Sequence, residues 1–228
     1  MKNAANHKGL FITGTDTDVG KTYIGAQLVA TLHQAGVSVI PRKPIESGCD
    51  LVEAELQPAD AKQYHDAVKN SIPLADICPF RFQPAISPQR AARLVKQPIT
   101  THSVKQVCLN KVTENDYLVV EGAGGFYSPL CEDGLNADIA EALRLPVLLI
   151  ANDQLGCINH ILLSKEAIEK RGLEVMAIVL NEKIQSHDAA MDNLEDLKTL
   201  VETPVFSQGE DEKLNSESEL VRLIQNQV

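Results

Sequence analysis

Residues 14–22 read GTDTDVGKT and stand between a run of β-forming residues and a run with helical spacing. The run before them, Gly9–Gly14, predicts a buried strand, and the run after them, Lys21–Gln34, predicts a helix. A glycine-rich loop in this position presents backbone N–H groups and the positive end of a helix dipole to an anion. We therefore interpret the stretch as a phosphate-binding loop, one residue longer than the generic pattern.

Two side chains of this loop have expected roles in such a site. Lys21 would reach the β- and γ-phosphates of a nucleotide, and the Thr22 hydroxyl would bind Mg²⁺. The alternative is a glycine-rich turn with an incidental Gly-Lys-Thr, which the strand before it and the helix after it disfavour.

Short β-rich runs alternate with longer amphipathic stretches along the rest of the chain. The strands are continuous apolar runs, which is typical of a parallel sheet with helices on both faces. We therefore predict an α/β fold, a single P-loop domain over residues 1–228 with a doubly wound, mainly parallel sheet. Pro41 and Pro44 are expected to break the second strand, and the proline-rich residues 70–100 to form a surface excursion. The further predicted strands are Val37–Ile40, Tyr117–Glu121, Pro146–Ala151, Val175–Leu180 and Pro204–Phe206, and the further helices are Pro58–Lys69, Gln89–Gln97, Ser103–Glu114, Ile158–Lys170 and Asp188–Val201.

The composition limits the classes of partner. The 228 residues include 31 Asp and Glu against 21 Lys and Arg, which gives a net charge of −10. A hydrophobic fraction of 44% can fill a core, so global disorder is excluded. The acidic balance argues against nucleic acid or an anionic membrane surface as the main partner, although it allows a local pocket for anions.

Neither a membrane span nor a secretory leader is expected. The longest apolar run, about residues 145–151, is far shorter than the roughly 18–20 residues that a span needs. The N-terminus lacks the apolar core of a signal peptide, so we expect a cytoplasmic protein. The five cysteines form no CxxC pair and the six histidines no HExxH, so neither a disulfide framework nor a structural zinc site is expected.

A second lysine, Lys43, lies in the segment Arg42–Gly48 at the carboxyl edge of the second predicted strand. In open α/β sheets ligands bind beyond the carboxyl ends of the strands, so this segment should face the phosphate-binding loop. Lys43 could there stabilise negative charge on a transferred phosphoryl group or on an anionic substrate. The alternative is a solvent-exposed lysine in a proline-rich loop.

Two carboxylates are candidates for binding a metal ion. Glu121 ends the third predicted strand, the place where a metal-binding acid belongs in such a sheet. Asp60 lies in the first turn of the helix opened by Pro58, where the helix dipole alone would also favour an acid. The glycines after Glu121 permit close approach of the backbone to a ligand, although they also suit any tight turn.

Two further segments place polar groups where a ligand could bind. Residues 155–160, LGCINH, lead into a helix whose free N–H groups could receive an anion such as a carboxylate. We interpret Cys157 as a small residue and His160 as an oriented polar residue, rather than as a nucleophile pair or metal site. Asn181 ends the fifth predicted strand, where its amide could bind the edge of a nucleobase or simply close a turn.

Four motifs occur in a fixed order: TGTDTDVGKT at 13–22, KPIESG at 43–48, VEGAGG at 120–125 and LGCINH at 155–160. With them the chain closely resembles the dethiobiotin synthetase family, ATP-dependent carboxylases of biotin synthesis. The resemblance covers about residues 11–181, most of the chain, whereas many NTPases share the phosphate-binding loop alone.

The resemblance implies a homodimeric, Mg²⁺-dependent P-loop enzyme. Such an enzyme joins CO₂ to 7,8-diaminopelargonate and phosphorylates the carbamate with ATP to a mixed carbamic-phosphoric anhydride. It then closes the ureido ring and releases ADP and phosphate. The substrate's own carbamate oxygen attacks the phosphorus, so no protein nucleophile is required.

The resemblance also implies roles for individual residues. Lys43 corresponds to the family's active-site lysine near the carbamate, and Lys21 completes the expected catalytic pair. The helix start at 156–159 is expected to receive the substrate carboxylate across the dimer interface. The implied ATP contacts are Asp18, Val19, Gly20, Lys21, Thr22, Asp60, Glu121, Gly122, Ala123, Gly124 and Asn181 (which would bind adenine), the metal ligands are Thr22, Asp60 and Glu121, and the substrate contacts are Thr17, Ser47, Gly156, Cys157, Ile158 and Asn159.

The chain departs from the family pattern at a few positions. The family often has Glu where this chain has Asp18. Residues 186–203 resemble the family weakly, and the segment that would close over adenine lies near residues 204–207.

Two other classes of protein share the expected fold. Partitioning ATPases of chromosomes or division sites carry a signature lysine near the start of the loop, where this chain has Asp16. The net acidic tail, residues 215–228, disfavours the membrane-targeting helix that such ATPases commonly use. An amidoligase that uses glutamine needs an added glutaminase domain, for which 228 residues leave no room.

Overall fold

The computed structural model describes residues 7–182, 190–209 and 212–227. The strands in these ranges are β1 Gly9–Gly14, β2 Val39–Arg42, β3 Ile45–Ser47, β4 Asp50–Val52, β5 Glu55–Gln57, β6 Phe80–Phe82, β7 Tyr117–Gly125, β8 Pro129–Cys131, β9 Gly134–Leu135, β10 Val147–Asn152, β11 Val175–Glu182 and β12 Val205–Gly209. The helices are α1 Lys21–Gln34, α2 Ala59–Ala67, α3 Leu74–Ile77, α4 Pro88–Leu94, α5 Thr101–Leu109, α6 Asn136–Leu143, α7 Cys157–Lys170, α8 Asn193–Leu200 and α9 Glu219–Gln225. None of these helices is long and apolar enough to cross a membrane.

Six strands form a central sheet in the order β12-β11-β10-β1-β7-β2, and every neighbouring pair is parallel. Parallel strands need crossover connections, which the helices supply. The carboxyl ends of the strands therefore lie along one edge of the sheet, so the loops after β1, β2, β7 and β11 are neighbours.

The sheet separates two hydrophobic cores. Successive side chains of a strand point to opposite faces, and in β1 Leu10 and Ile12 enter one core while Phe11 enters the other. The first core is covered by α1, α2 and α9, and the second by α5, α6 and α7. Burial of both faces explains why the strands are continuous apolar runs. The predicted α/β class, with a doubly wound parallel sheet, is confirmed.

The prediction that Pro41 breaks the second strand is wrong. Pro41 lies inside β2 and is paired with Val119 of β7. Proline is tolerated there because β2 is the edge strand of the sheet, so the missing N–H can face away from β7.

The prediction of a surface excursion at residues 70–100 is also wrong. Phe82 of β6 and Ala91 of α4 are buried in one core, and Ile77 of α3 is buried in the other. β6 pairs in parallel with β3, which ties this segment to the segment that contains Lys43. The prolines therefore punctuate short packed elements rather than a loop over the surface.

The helix predicted over 188–201 begins later, since α8 starts at Asn193. Residues 183–189, and with them the beginning of that prediction, lie outside the described residues. The helices α6 and α9 have no counterpart in the sequence predictions.

Candidate active site

A cleft of about 1160 Å³ opens at the carboxyl edge of the sheet. Its wall is built by the loop between β1 and α1, the segment around β3, the first turn of α2, and the ends of β7 and β11. Residues 85–88, which precede and begin α4, close the opposite side. The cleft therefore lies where an open α/β sheet binds its ligands.

The loop of residues 14–22 has the backbone of an anion-binding loop. Asp18 and Gly20 have positive φ angles of 56° and 99°, and Gly20 is the N-cap of α1. A Cβ at Gly20 would overlap the side-chain amide of Asn181, whose Nδ2 donates to the Val19 carbonyl at 3.1 Å. Glycine at this position thus lets the end of β11 pack directly against the loop.

Lys21 lies on this loop with its charge turned inward. Its side chain is buried, and Nζ donates to the Asp16 carbonyl at 2.8 Å. Burial lowers the pKa of Lys21, an effect that the nearby Glu121 carboxylate opposes. An ammonium held by a single carbonyl can transfer to a polyanion that enters the loop.

Lys43 joins both candidate metal-binding acids. Its Nζ lies 2.5 Å from Glu121 Oε1 and 2.9 Å from Asp60 Oδ2. The Lys43 side chain is 5% exposed and that of Glu121 is fully buried, whereas Asp60 is 40% exposed. Burial alone would lower the pKa of Lys43, but the two carboxylates raise it well above its ordinary value. Lys43 is therefore a buried, permanently charged group rather than the solvent-exposed loop lysine of the alternative interpretation.

The same lysine affects Asp60. Burial would raise the pKa of Asp60, but the Lys43 ammonium and a hydrogen bond from Thr22 hold it below its ordinary value. Asp60 is therefore ionised at neutral pH and can act as a ligand or as a counter-charge.

Glu121 is held by three donors. Its Oε1 accepts from Lys43 Nζ at 2.5 Å and from the Thr22 hydroxyl at 2.9 Å, and its Oε2 accepts from the Tyr64 hydroxyl at 2.7 Å. A buried carboxylate with this many donors is fixed in orientation.

The oxygen atoms of this cluster fit a magnesium ion. Thr22 contacts both Glu121 and Asp60, so one hydroxyl and two carboxylates converge beside the phosphate-binding loop. Hard oxygen donors are the ligands that Mg²⁺ prefers, with water and phosphate completing the set. Among the described residues no three His, Cys, Asp or Glu side chains could hold a metal ion together.

The structure brings most of the predicted site residues together. Two of the remainder lie behind the cleft surface: Val19 is packed in a core, and Gly122 is buried against Asn136. The predicted residues that line the cleft are Thr17, Asp18, Gly20, Lys21, Thr22, Lys43, Ser47, Asp60, Glu121, Ala123, Gly124 and Asn181.

The predicted substrate contacts at 156–159 are separate from this cleft within one chain. Gly156 and Asn159 are exposed at the start of α7 and do not line the cleft. Burial raises the pKa of the Cys157 thiol, which agrees with its interpretation as a small structural residue.

Two residues of the site have no counterpart in the sequence predictions. Glu46 lines the cleft three residues after Lys43, and Tyr64 donates to Glu121 from α2. Tyr64 follows Asp60 by four residues, the spacing that places two side chains on one helix face, and this was the signal available for it. Glu46 carried no such signal, because its partners lie on another element.

The sheet is parallel and has a glycine-rich phosphate-binding loop after β1. Lys43, Asp60 and Glu121 lie at the same edge. These features define a P-loop nucleotide-binding protein.

A family model described as an AAA domain matches residues 8–214. The ATP-dependent dethiobiotin synthetase BioD of Anaeromyxobacter sp. (strain Fw109-5) is 40% identical over 184 residues, which is 81% of each chain. The BioD of Marinobacter nauticus is 39% identical over 172 residues, 75% of this chain and 74% of its own. The BioD of Clostridium kluyveri is 32% identical over 206 residues, which cover 88% of this chain and 84% of its own. The chain belongs to the ATP-dependent dethiobiotin synthetase family, which confirms the resemblance found in the motifs.

Solved structures with the same fold come from other classes of P-loop protein. A ParA family ATPase from Chlorobium tepidum matches with a TM-score of 0.55 and 15% identity, over 91% of this chain and 86% of its own. The cell division ATPase MinD of Pyrococcus furiosus matches with a TM-score of 0.54 and 16% identity, over 95% and 97%. At this identity the likeness concerns the fold alone, so it does not favour the partitioning alternative.

Proposed function

We propose that a single domain, residues 1–228, makes dethiobiotin from 7,8-diaminopelargonate, CO₂ and ATP. Membership of the ATP-dependent dethiobiotin synthetase family supports the substrates. The observation that carries the proposal is the position of Lys43, whose buried ammonium lies between two carboxylates in the cleft that the phosphate-binding loop lines. A positive charge in that place serves a reaction between two anions.

The chemistry needs charge neutralisation and positioning rather than a protein nucleophile. One amine of the substrate adds to CO₂ and loses a proton, which gives a carbamate. A carbamate oxygen then attacks the γ-phosphorus of ATP, and ADP leaves. The second amine attacks the carbonyl carbon of the resulting mixed anhydride and loses a proton, phosphate leaves with the electron pair of its C–O bond, and the ureido ring closes.

Each lysine has a defined part in this sequence. Lys21 would leave the Asp16 carbonyl for the β- and γ-phosphates, because an oxygen of a polyanion is a stronger partner than a carbonyl. Lys43 would hold the carbamate against the γ-phosphate, so that both attacking and attacked groups meet a fixed positive charge. Thr17 and Ser47, which line the same cleft, would contact the substrate.

Thr22, Asp60 and Glu121 would hold Mg²⁺ in the nucleotide complex. The ion supplies neutralisation of the phosphate charge, as metal ions do in other phosphoryl transfers. Asn181 lies beside the phosphate-binding loop, and we propose that it contacts adenine.

We propose further that the enzyme is a homodimer and that the helix start at 156–159 binds the substrate carboxylate of the partner's site. The start of α7 has no side-chain cap; the Cys157 N–H donates to the Gln154 carbonyl at 3.0 Å, which leaves the N–H groups after it to receive an anion. Leu155 is 91% exposed and Leu163 is 57% exposed. Apolar side chains exposed beside an anion-binding helix start suit a subunit interface. The cytoplasmic location stays a prediction.

The experiment that tests the function measures phosphate release from Mg²⁺-ATP by the purified protein. We expect release only when 7,8-diaminopelargonate and bicarbonate are both present, because the acceptor of the phosphoryl group is the carbamate. Omission of either compound is the control. Equal ATP turnover without the diamine would contradict the proposal and would favour a switch ATPase.

The role of Lys43 is tested with Lys43→Ala. We expect turnover to fall by at least about a hundredfold, the usual effect of removing one preorganised charge-stabilising group. Nucleotide binding, measured by fluorescence titration, should largely survive because the phosphate-binding loop is intact. Normal turnover in this variant would show that Lys43 is not part of the reaction.

A further inference from the structure

Glu46 joins β3 to the first turn of α2. Its Oε1 accepts a hydrogen bond from the Asp60 N–H and its Oε2 accepts one from the Ala61 N–H, both at 3.0 Å. The residue is 6% exposed. Both carboxylate oxygens are therefore engaged by the backbone of the turn that carries Asp60.

The helix has no cap of its own at this end. The N-cap position of α2 is Pro58, whose side chain has no acceptor, and no side-chain hydrogen bond caps the helix locally. The first N–H groups of a helix have no partner within the helix. Glu46, fourteen residues earlier in the chain, takes the place of the local cap.

The same short segment carries the active-site lysine. Lys43 precedes Glu46 by three residues, and Ile45, one of the two residues between them, is 1% exposed and paired with Phe80 of β6. This segment therefore contacts Asp60 twice: the Glu46 carboxylate accepts from the Asp60 backbone N–H, and Lys43 Nζ lies 2.9 Å from Asp60 Oδ2. Movement of the first turn of α2 would change the distance between the two charges.

A second carboxylate beside Asp60 is not what capping alone requires. Burial raises the pKa of Glu46 and the Asp60 charge raises it further, while the N–H groups of Ala61 and Asp60 oppose this. A serine at the N-cap would accept from one of the same N–H groups without placing a second carboxylate beside Asp60. Glu46 connects the turn of α2 that carries Asp60 to the segment that carries Lys43, which a local cap would not do.

We propose that Glu46 is a positioning residue, which holds Asp60 in register with Lys43 and so determines how tightly the cleft binds Mg²⁺ together with a nucleotide. The inference rests on the proposed function only for the role of Asp60 as a metal ligand. It concerns binding before any reaction, so it can be tested without the diamine.

The experiment titrates Mg²⁺ into protein with a fluorescent ATP analogue, in the absence of diamine and bicarbonate. In Glu46→Ala we expect the Mg²⁺ concentration for half-maximal binding to rise about tenfold, the scale of losing a charge-assisted hydrogen bond. Glu46→Gln keeps the shape and one acceptor oxygen, so it should fold and show a smaller rise. An unchanged Mg²⁺ requirement in both variants would overturn the proposal.

A matched control separates positioning from helix capping. Asp133 Oδ1 accepts from the N–H of Thr101, the first residue of α5, a helix that Thr100 and Ser103 also cap locally. Asp133 does not line the cleft. We expect Asp133→Ala to lower the urea midpoint and to leave the Mg²⁺ requirement unchanged. If Asp133→Ala raised the Mg²⁺ requirement as much as Glu46→Ala does, loss of stability alone would explain the effect.

A double-mutant cycle identifies the group through which Glu46 acts. In the background of Asp60→Asn, Glu46→Ala should change the Mg²⁺ requirement by less than about twofold, because the ligand that it positions is already impaired. A full tenfold effect in that background would contradict action through Asp60. Failure of the wild type to release phosphate would refute the proposed function and leave this binding test valid.

Discussion

Tyr64 shows how a single hydroxyl supports the charged cluster. The residue is fully buried, and its hydroxyl donates to Glu121 Oε2 at 2.7 Å. Burial and the Glu121 charge raise the pKa of Tyr64 far above its ordinary value, so the phenol stays a donor. Gly25 of α1 makes the contact possible, because a Cβ there would overlap the Tyr64 hydroxyl. The orientation of Glu121 thus depends on a residue on each of two helices.

We predict that Tyr64→Phe lowers the free energy of unfolding by about 1–3 kcal/mol, since Glu121 Oε2 loses its partner in a buried place. Urea unfolding monitored by circular dichroism measures the change. Tyr117→Phe is the matched control, because Tyr117 is 1% exposed and its buried hydroxyl has no hydrogen-bond partner in the part of the chain that the structure describes. A similar loss in both variants would mean that the bond to Glu121 contributes nothing specific.

Sequence reasoning reached the charged members of the site more easily than their supports. Lys21 follows from the spacing of the glycine-rich loop, and Glu121 follows from its place at the end of an apolar run. The prediction that the strand ends at Glu121 is wrong, since β7 continues to Gly125. Glu46 and Tyr64 act through partners on other elements, with sequence separations of 14 and 57 residues. A pattern in one segment cannot reveal such contacts, because they depend on how the elements pack.

At the scale of elements, the bounds of a helix or strand could be predicted where its own sequence carries a clear signal. β1 and α1 have the predicted bounds, since a fully apolar strand, the glycine-rich loop and a helical repeat each give a clear signal. The predicted end of β2 was wrong, because Pro41 is tolerated inside a strand that lies at the edge of the sheet. The helix α9 was not predicted, because its burial depends on packing against α1, which is distant in the sequence.

The C-terminal region is held on α1 by contacts at Leu214. Its N–H donates to Gln27 Oε1 at 2.9 Å, and its carbonyl accepts from the Thr31 hydroxyl at 3.0 Å. These two bonds fix the segment that leads into α9, whose Val221 and Ile224 are fully buried in the core that α1 covers. The helix is therefore part of the core.

We predict that Ile224→Ala lowers the free energy of unfolding by about 2–5 kcal/mol, the cost of a large-to-small change in a packed core. Arg222→Ala, an exposed position of the same helix, should change it by less than about 0.5 kcal/mol. Urea unfolding of both variants decides the matter. If the two changes are equal and small, α9 does not contribute to the core.

At the scale of the whole molecule, the net charge of −10 does not by itself describe the place where a polyanion would bind. Lys21 and Lys43 are both buried at the carboxyl edge of the sheet. The start of α1 adds the positive end of a helix dipole. An acidic protein can in this way bind polyanions, because the field at a site is set by the nearest charges.

The separation of residues 156–159 from the cleft leads to a prediction about the assembly. If each site takes Lys43 from one subunit and the α7 start from its partner, two different defective variants should complement each other. Asn159→Asp places an acid in the first turn of α7, where the helix tolerates it but a substrate carboxylate is repelled. Lys43→Ala removes the lysine from the other half of the site. Each variant alone should turn over poorly.

In the proposed homodimer, co-expression of the two variants would form mixed dimers that contain one intact site out of two. With random pairing, phosphate release should recover to about a quarter of the wild-type rate, because half of the dimers are mixed. Sedimentation analysis establishes that the species measured is a dimer, and each variant expressed alone gives the background rate. A mixture no more active than its separate components would place the whole site within one chain, and the carboxylate of the substrate would then have to bind inside the cleft.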